Sequence, residues 1–260
     1  MSENVQAAPT PEKSSAAGEM VEIVKTVVYA LLIALVLRVL LFQPFTIPSA
    51  SMEPNLYQGD YIIVSKFTYG YSRHSILFSP PLFPGRIFSH PAQRGDIVVF
   101  KLPRDNHTDY VKRVIGVPGD RVQMKDGLLY LNGQQVPRTF MGTAKEDSGY
   151  GFVRDIARYR ETLPGGKSYM TNDFGTDGEL DNTEVFVVPE GNYFMMGDNR
   201  DNSSDSRVTP EAGGVGFVPA ENLEGKAQII LLSWYPEASI FKPWTWVTKA
   251  RPSRFFHLLK

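Results

Sequence analysis

One long apolar run near the N-terminus limits this chain to few architectures. It extends over about residues 23–45 and carries only two charges, Lys25 and Arg38. As a helix that rises about 1.5 Å per residue, it would be about 34 Å long, enough to cross a bilayer core of about 30 Å. We therefore expect one transmembrane helix over residues 21–45. The preceding residues 1–20, rich in Ala, Ser, Pro and Glu, should form a disordered tail.

Two other interpretations of this run compete with an anchor. A buried globular helix is one, but the run is apolar on all sides. A cleavable signal peptide would explain the small residues 49–51 that follow, but Pro48 lies inside that cleavage site and a tail of about 20 residues precedes the run. The flanking charges do not decide the orientation, because acidic residues and Arg38 offset Lys13 and Lys25.

Composition excludes several kinds of chemistry. The 260 residues include no cysteine, so disulfides, thiolate metal sites and a cysteine nucleophile are ruled out. A formal net charge of −1 offers no basic surplus for nucleic acid. None of the histidines has a metal-binding spacing, and we expect no metal and no cofactor. They are His74, His90, His107 and His257.

After the apolar run, short β-branched and aromatic segments alternate with turn residues, which predicts a mainly β chain. Asp126-Gly127 and Asn132-Gly133 are typical hairpin turns. We expect one domain over residues 46–250, with a polar, Gly-rich, β-rich insertion at about residues 125–195, and a C-terminal tail over residues 251–260. The predicted strands are 61–67, 97–102, 109–116, 122–124, 128–131, 184–188, 193–196 and 227–234.

A long irregular segment interrupts this pattern at residues 72–93. It contains four prolines among several Phe, Leu and Ile residues. Loops of this length are usually functional or mobile. Either the segment dips into a membrane interface or it packs on the domain.

Two serines follow the apolar run, at positions 49 and 51, between Pro48 and Pro54. Prolines fix φ and discourage helix, so this segment should be extended and its serines held in place. A serine becomes a good nucleophile only when another group takes its proton. Without such a base, the segment is a stiff polar linker.

A histidine base is the usual expectation, but His74, His90 and His107 lie in irregular stretches without an acidic partner, and a lysine can also serve. A lysine base must be neutral near pH 7, which requires burial or a nearby positive charge. Lys112 shares its strand face with Tyr110 and Val114, and Arg113 follows it. Lys66 is equally placed on an apolar face, and Lys101 lies near a strand end, where it should be exposed. The pattern does not separate Lys112 from Lys66.

Five stretches, taken in order, resemble the conserved boxes of bacterial type I signal peptidases. They are I-P-S-A-S-M-E-P at 47–54, G-D-Y-I-I-V-S-K-F at 59–67, R-G-D-I-V-V-F-K at 94–101, D-Y-V-K-R-V-I-G-V-P-G-D at 109–120 and G-D-N-R-D-N-S-S-D-S-R at 197–207. The resemblance covers residues 47–207 and the preceding anchor. It implies a signal-peptidase-like antiparallel β-sheet catalytic fold with an inserted subdomain. Members of this family have one or two anchors, and this chain shows one.

The resemblance also implies residue roles. Ser51 matches the nucleophile and Lys112 the general base, while Ser49 joins the Ser51 backbone N–H in the oxyanion hole. Ser203 matches the serine that hydrogen-bonds and orients the lysine. Two ion pairs near the site are implied or suggested, Asp205 with Arg207 and Asp198 with Arg113. The residues that flank these groups, and that we expect to wall the substrate pocket, are Ile47, Pro48, Met52 and Val111.

Such an enzyme would be a serine endopeptidase that removes signal peptides from exported preproteins, cutting after small residues at the first and third positions before the cut. It would be single-pass in the bacterial inner membrane, with a cytoplasmic N-terminus and a periplasmic catalytic domain. Its partners would be signal peptides, membrane lipid and the export machinery, but no nucleic acid.

Three alternatives remain at this stage. A membrane-anchored Ser–Lys protease with a narrower or regulatory substrate set would look the same. A self-cleaving repressor-type protease shares the chemistry but needs a DNA-binding segment. A membrane-anchored binding protein with an inactive fold should lack Ser51, Lys112 or Ser203, and the chain has all three.

Overall fold

The computed structural model describes residues 16–76, 79–147, 153–239 and 241–259. Most of the tail predicted for residues 1–20 lies outside these ranges. Within them the helices are α1 Ala16–Leu40 and α2 Thr245–Thr248, and the strands are β1 Phe42–Thr46, β2 Asp60–Ser65, β3 Tyr71–Ser72, β4 Arg86–Ile87, β5 Ile97–Lys101, β6 Asp109–Gly116, β7 Arg121–Lys125, β8 Leu128–Leu131, β9 Gln134–Gln135, β10 Arg138–Asp147, β11 Val153–Thr162, β12 Ser168–Asp173, β13 Phe186–Val187, β14 Asn192–Met196, β15 Val218–Pro219, β16 Leu223–Ser233 and β17 His257–Leu258.

Helix α1 is long and apolar enough to cross a membrane. Its span Gly18–Leu40 has 23 residues and a mean hydropathy of 2.3. The helix is already present at Ala16, the first described residue, and so extends further toward the N-terminus than predicted; alanine is a strong helix former. It ends at Leu40 rather than at residue 45, because Pro44 lacks an N–H and restricts the preceding residue to extended conformations. Residues 42–46 instead form β1, an edge strand, where proline is tolerated.

The largest sheet is antiparallel, which confirms the predicted fold class. Its strands are hydrogen-bonded in the order β1-β2-β16-β5-β6-β14-β15, with β17 beside β16. Along β2, Ile62 and Val64 are buried while Tyr61 is exposed, the alternation of a half-buried strand. Ile62 and Val64 pack with Ile47 and Met52 in one apolar cluster. Each such buried side chain stabilises the fold by about 1.5–3 kcal/mol.

Strand β6 has one edge that is only half covered. It runs from Asp109 to Gly116, the bounds predicted from its sequence, and pairs with β5 from Asp109 to Arg113. On its other side it pairs with β14 only between Arg113 and Gly116. In the part of the chain that the structure describes, residues 109–112 therefore have a backbone edge without a partner strand.

Most of the stretch predicted as an inserted subdomain, at about residues 125–195, lies in two small sheets, β13-β7-β8-β9 and β10-β11-β12. The turns at Asp126-Gly127 and Asn132-Gly133 have positive φ at both residues, as type I′ hairpin turns require. The long hairpin of β10 and β11 was predicted only as part of a β-rich stretch, because its sequence is polar and lacks a period-2 apolar pattern.

Of the predicted C-terminal tail, residues 251–260, the described residues 251–259 lie against the large sheet. Strand β17 pairs with β16, and Arg251 and Arg254 both bind the buried carboxylate of Asp60. Arg254 donates from Nη2 to Asp60 Oδ2 at 2.6 Å and from Nε to Oδ1 at 3.0 Å. A buried carboxylate must be paired, so these arginines hold the chain end against the sheet.

The described residues of the segment 72–93 have little regular structure beyond the end of β3, strand β4 and a short 3₁₀ turn at Arg73–Ser75. Ser72 and Ser75 are fully buried, whereas Leu82 and Phe88 are about 70% exposed or more. One end of the segment therefore packs on the domain and its middle presents apolar side chains.

Candidate active site

Ser51 lies between two buried apolar residues, Ile47 and Met52, which are 3% and 1% exposed. We predicted an extended segment, but only part of it is extended. The Glu53 N–H donates to the Ala50 carbonyl at 3.0 Å and the Leu56 N–H to the Met52 carbonyl at 2.9 Å, so residues 50–56 form consecutive turns. These turns present the half-buried Ser51 hydroxyl at the surface of the apolar cluster.

Lys112 reaches Ser51 from the half-covered end of β6. Its Nζ donates to Ser51 Oγ at 2.6 Å, and the side chain is 3% exposed. Burial lowers the pKa of Lys112 to about 8; Asp205 and Asp198 oppose this change and Arg207 adds to it. The cation that helps is thus Arg207 and not Arg113, which follows Lys112 in sequence. A fraction of the amine is neutral near pH 7 and can accept the proton of Ser51.

The structure separates the lysines that the sequence left equivalent. Lys66 is also 3% exposed, but its Nζ donates to the Ser75 carbonyl at 2.7 Å. Lys101 was expected to be exposed, yet its side chain is 15% exposed and forms ion pairs with Asp109 and Glu224. Within the described residues, Lys112 is the lysine bonded to Ser51.

The two remaining predicted serines lie beside Ser51. Ser49 Oγ is 3.3 Å from Ser51 Oγ and is exposed. Ser203 is buried, but its hydroxyl makes no hydrogen bond within the described ranges, so the predicted bond to Lys112 is not formed in this structure. Ser203 lies against Gly197, where a Cβ would come 2.2 Å from Ser203 Oγ and 2.5 Å from the Ser51 carbonyl oxygen. Only glycine fits at position 197, a requirement that the sequence analysis missed.

Both ion pairs suggested by the sequence are present. Arg113 donates from Nε and Nη2 to the two carboxylate oxygens of Asp198, each at 2.7 Å, and both side chains are 1% exposed. Arg207 forms the same bidentate pair with Asp205, donating from Nε to Oδ1 and from Nη2 to Oδ2, each at 2.9 Å. Asp205 also accepts the Gly197 N–H at 3.0 Å, which fixes the backbone next to Ser203.

Asn199 is a second residue that the sequence analysis missed. Its backbone N–H donates to the Ser51 carbonyl and its Nδ2 to the Ala50 carbonyl, each at 3.1 Å. The signal that could have found it is its position next to Asp198, in the same box as the residues that we did single out.

A groove of about 490 Å³ runs past the serine and the lysine. All four predicted pocket residues line it, and they are joined by Phe45, Tyr110, Asn202 and Ser204, among others. The predicted four are Ile47, Pro48, Met52 and Val111. Among the described residues, no group of three or more His, Asp or Glu side chains is arranged to hold a metal ion.

A mainly β domain in which a buried amine is bonded to a serine hydroxyl in an apolar groove has the parts of a serine endopeptidase. The family model described as signal peptidase, peptidase S26, matches residues 20–234. The chain belongs to this family of serine endopeptidases.

Curated relatives are similar over most of the chain. The signal peptidase I of Rickettsia canadensis (strain McKiel) is 41% identical over 252 residues, covering 90% of this chain and 92% of that one. The signal peptidase I of Rickettsia typhi (strain ATCC VR-144 / Wilmington) is 42% identical over 245 residues, covering 88% and 89%. The crystal structure of a signal peptidase I from Enterococcus faecalis V583 is 28% identical, covers 53% of this chain and 97% of that one, and has a TM-score of 0.30. Together, the sequence relationship and helix α1 indicate a membrane-anchored protein.

Proposed function

We propose that this chain removes N-terminal signal peptides from exported preproteins, with Ser51 as the nucleophile and Lys112 as the general base. The observation that carries this proposal is the 2.6 Å contact between Lys112 Nζ and Ser51 Oγ in the apolar groove. Membership of the signal peptidase family and the apolar helix α1 support the choice of substrate.

In the proposed mechanism the neutral amine of Lys112 takes the Ser51 proton while Ser51 Oγ attacks the scissile carbonyl carbon. The resulting ammonium gives this proton to the leaving amine when the C–N bond breaks, which leaves an acyl-enzyme on Ser51. The same amine then removes a proton from water, which attacks the ester and releases the signal peptide. Neither step needs a group outside this chain other than water and the substrate.

The oxyanion of each tetrahedral intermediate would be held by the Ser51 backbone N–H and the Ser49 hydroxyl. Ser49 Oγ lies 3.3 Å from Ser51 Oγ, within the range of a group that contacts the same reacting carbonyl. Losing one such donor typically costs about 2.7–4 kcal/mol of barrier. Ser203, which is buried beside Gly197, would orient the Lys112 amine through its hydroxyl once that hydroxyl turns toward it.

The groove suits an extended peptide because two backbone edges border it. Strand β1 is the outer strand of its sheet, and residues 109–112 of β6 are unpaired on one side within the described chain. A substrate added as a strand would gain backbone hydrogen bonds without regard to its sequence. Its alternate side chains would face the walls formed by Ile47 and Val111, where shallow apolar space favours small residues.

The direct test is cleavage of a purified secretory precursor by the full chain in detergent. We expect one cut after a small residue, and Ala→Phe changes in the substrate at the first or third position before the cut should each slow it by about 100-fold or more, because a bulky side chain does not fit a shallow pocket. The same change at the second position should have little effect, since that side chain points to the other side of the strand. Failure to cut any secretory precursor would refute the proposal.

The pH dependence tests the base. Because only the neutral amine accepts the Ser51 proton, activity should rise with pH through an apparent pKa of about 8, the value lowered by the burial of Lys112. The measurement is kcat/KM for one precursor between about pH 6 and pH 10. A limb near 10.5, the pKa of a free lysine, would contradict the role of burial.

We further propose a single-pass protein of the bacterial inner membrane with a cytoplasmic N-terminus, a periplasmic catalytic domain and the export machinery as neighbour. Contact of the domain with lipid is supported by exposed side chains near the C-terminus, Phe241, Trp244, Trp246 and Val247. In spheroplasts, added protease should digest the catalytic domain, and bromine-labelled lipid should quench its tryptophan fluorescence. Protection from the protease would refute the orientation, and fluorescence that bromine leaves unchanged would refute the lipid contact.

A further inference from the structure

Three consecutive residues, 198–200, connect the inserted subdomain to strand β6, which carries Lys112, and to the turns that carry Ser51. Asp198 binds Arg113, the neighbour of Lys112 on β6, and Asn199 holds the backbone carbonyls of Ala50 and Ser51. The next residue, Arg200, turns the other way, toward the sheet formed by β10, β11 and β12. All three side chains are at most 2% exposed.

The inserted sheet binds this segment through both backbone and side chains. The Asn172 N–H on β12 donates to the Asp198 carbonyl, and the Arg200 N–H donates to the Asn172 carbonyl, each at 2.9 Å. The Arg200 guanidinium donates from Nη1 and Nη2 to the two carboxylate oxygens of Glu161 on β11, both at 2.5 Å. Tyr169 on β12 donates its hydroxyl to the same Glu161 at 2.9 Å.

Glu161 lies on the inserted sheet and outside the groove, yet only Arg200 and Asn199 separate it from the carbonyl of Ser51. A buried charge pair with two parallel bonds fixes orientation as well as distance. When one partner is removed, the remaining charge is buried without compensation, and the segment that carries it must move to find another partner or water.

We propose that Glu161 is a positioning residue for the catalytic serine: through Arg200 it fixes residues 198–200, and through Asn199 it sets the place of Ser51 opposite Lys112. The inserted sheet then helps to position the catalytic serine. This proposal rests on the proposed function for its kinetic consequence, but its structural consequence is independent of the substrate.

The kinetic test compares Glu161→Gln with Asp173→Asn in the full chain, using the secretory precursor as substrate. Asp173 is a matched control because it forms another buried ion pair of the same sheet, with Arg138, and its other oxygen accepts the Gly175 N–H. For Glu161→Gln we expect kcat to fall by about 10- to 100-fold with KM within about twofold, since the groove walls are untouched. For Asp173→Asn we expect kcat, calculated per folded molecule, to lie within about twofold of the wild-type value. Equal losses of kcat in the two variants would overturn the proposal.

The structural test is hydrogen–deuterium exchange of the same two variants, read by mass spectrometry on peptides that cover residues 197–200 and 50–56. Glu161→Gln should speed exchange in both peptides, because the Asn199 N–H loses its fixed place against the Ser51 carbonyl, and Asp173→Asn should not. Unchanged exchange in Glu161→Gln would refute the positioning role even if no precursor were cleaved. If the wild-type protein cleaves no precursor, that result refutes the proposed function but not the positioning role of Glu161.

If Glu161→Gln does not fold, the double variant Glu161→Gln with Arg200→Met removes both buried charges together. It is expected to fold, because no buried charge is left without a partner. Its kcat should remain at least about tenfold low, because residues 198–200 have lost their tie to β11. Recovery of kcat to the unchanged level would overturn the proposal.

Discussion

Replacing Ser51 with Ala is expected to abolish precursor cleavage, with a loss on the order of 10⁴-fold or more. Without Oγ no acyl-enzyme forms. Lys112→Met should abolish it equally, because no other described amine contacts Ser51 Oγ and an unassisted hydroxyl is a weak nucleophile. The two losses should not add in the double variant, since the residues act as a unit. The measurement is the initial rate of mature product formation at about pH 9, where the amine of the unchanged protein is mostly neutral.

Lys112→Met carries a second expectation, on stability. The folded-state pKa of about 8 lies below the value of 10.5 for a free lysine, so below pH 8 the amine is protonated in both states and the folded state alone bears the cost of burying it. That cost is up to about 3 kcal/mol and declines as pH rises from 8 toward 10.5. The variant should therefore be inactive and more stable than the unchanged protein, with the larger gain at pH 7 than at pH 10.

Lys66→Met is the control, because Lys66 is as buried as Lys112 but its amine binds the Ser75 carbonyl. It should keep its activity within a few-fold, even where it loses some stability. Cleavage that survives in Lys112→Met and is lost in Lys66→Met would reassign the base.

Local patterns predicted much of this fold, and particular elements show why. Strand β6 has the bounds read from its sequence, because turn residues flank a period-2 segment. The hairpin turns at Asp126-Gly127 and Asn132-Gly133 require positive φ, which Asn, Asp and Gly tolerate best. Helix α1 ends five residues before the predicted end at residue 45, because Pro44 is incompatible with a continuing helix.

The site depended on contacts that no local pattern contains. Lys66 and Lys112 have the same strand environment, and only the tertiary arrangement brings Lys112 to Ser51. Asn199 donates hydrogen bonds to Ser51 and Ala50, which lie 148 and 149 positions earlier in the sequence. Glycine is required at position 197 because Ser203 and the Ser51 carbonyl both pack against it. The chain end was predicted as a tail because its arginines show no partner until Asp60 is placed. Family resemblance supplied the residue roles, but not these contacts.

The buried pair of Arg113 and Asp198 should show the largest effect on stability. Asp198→Asn leaves the guanidinium of Arg113 with the Gly95 carbonyl at 2.7 Å and the ring of Tyr169, but without a counter-charge. Breaking one side of a buried pair typically costs about 3–5 kcal/mol, and we expect a loss of that size in the free energy of unfolding, measured by urea denaturation. Arg94→Gln is the control, because the Arg94 side chain is 30% exposed and Asp120 keeps other partners, so it should cost about 1 kcal/mol.

The same variant should also move the pH limb of cleavage, and it should move it downward. Asp198 raises the pKa of Lys112 against the effect of burial, so removing its charge lets that pKa fall further below about 8. Asp198→Asn should therefore keep more of its maximal kcat/KM at pH 7 than the unchanged protein does, although its maximum is lower, while Arg94→Gln leaves the limb in place. A limb that moved upward would show that Asp198 acts on Lys112 by fixing its position and not through its charge.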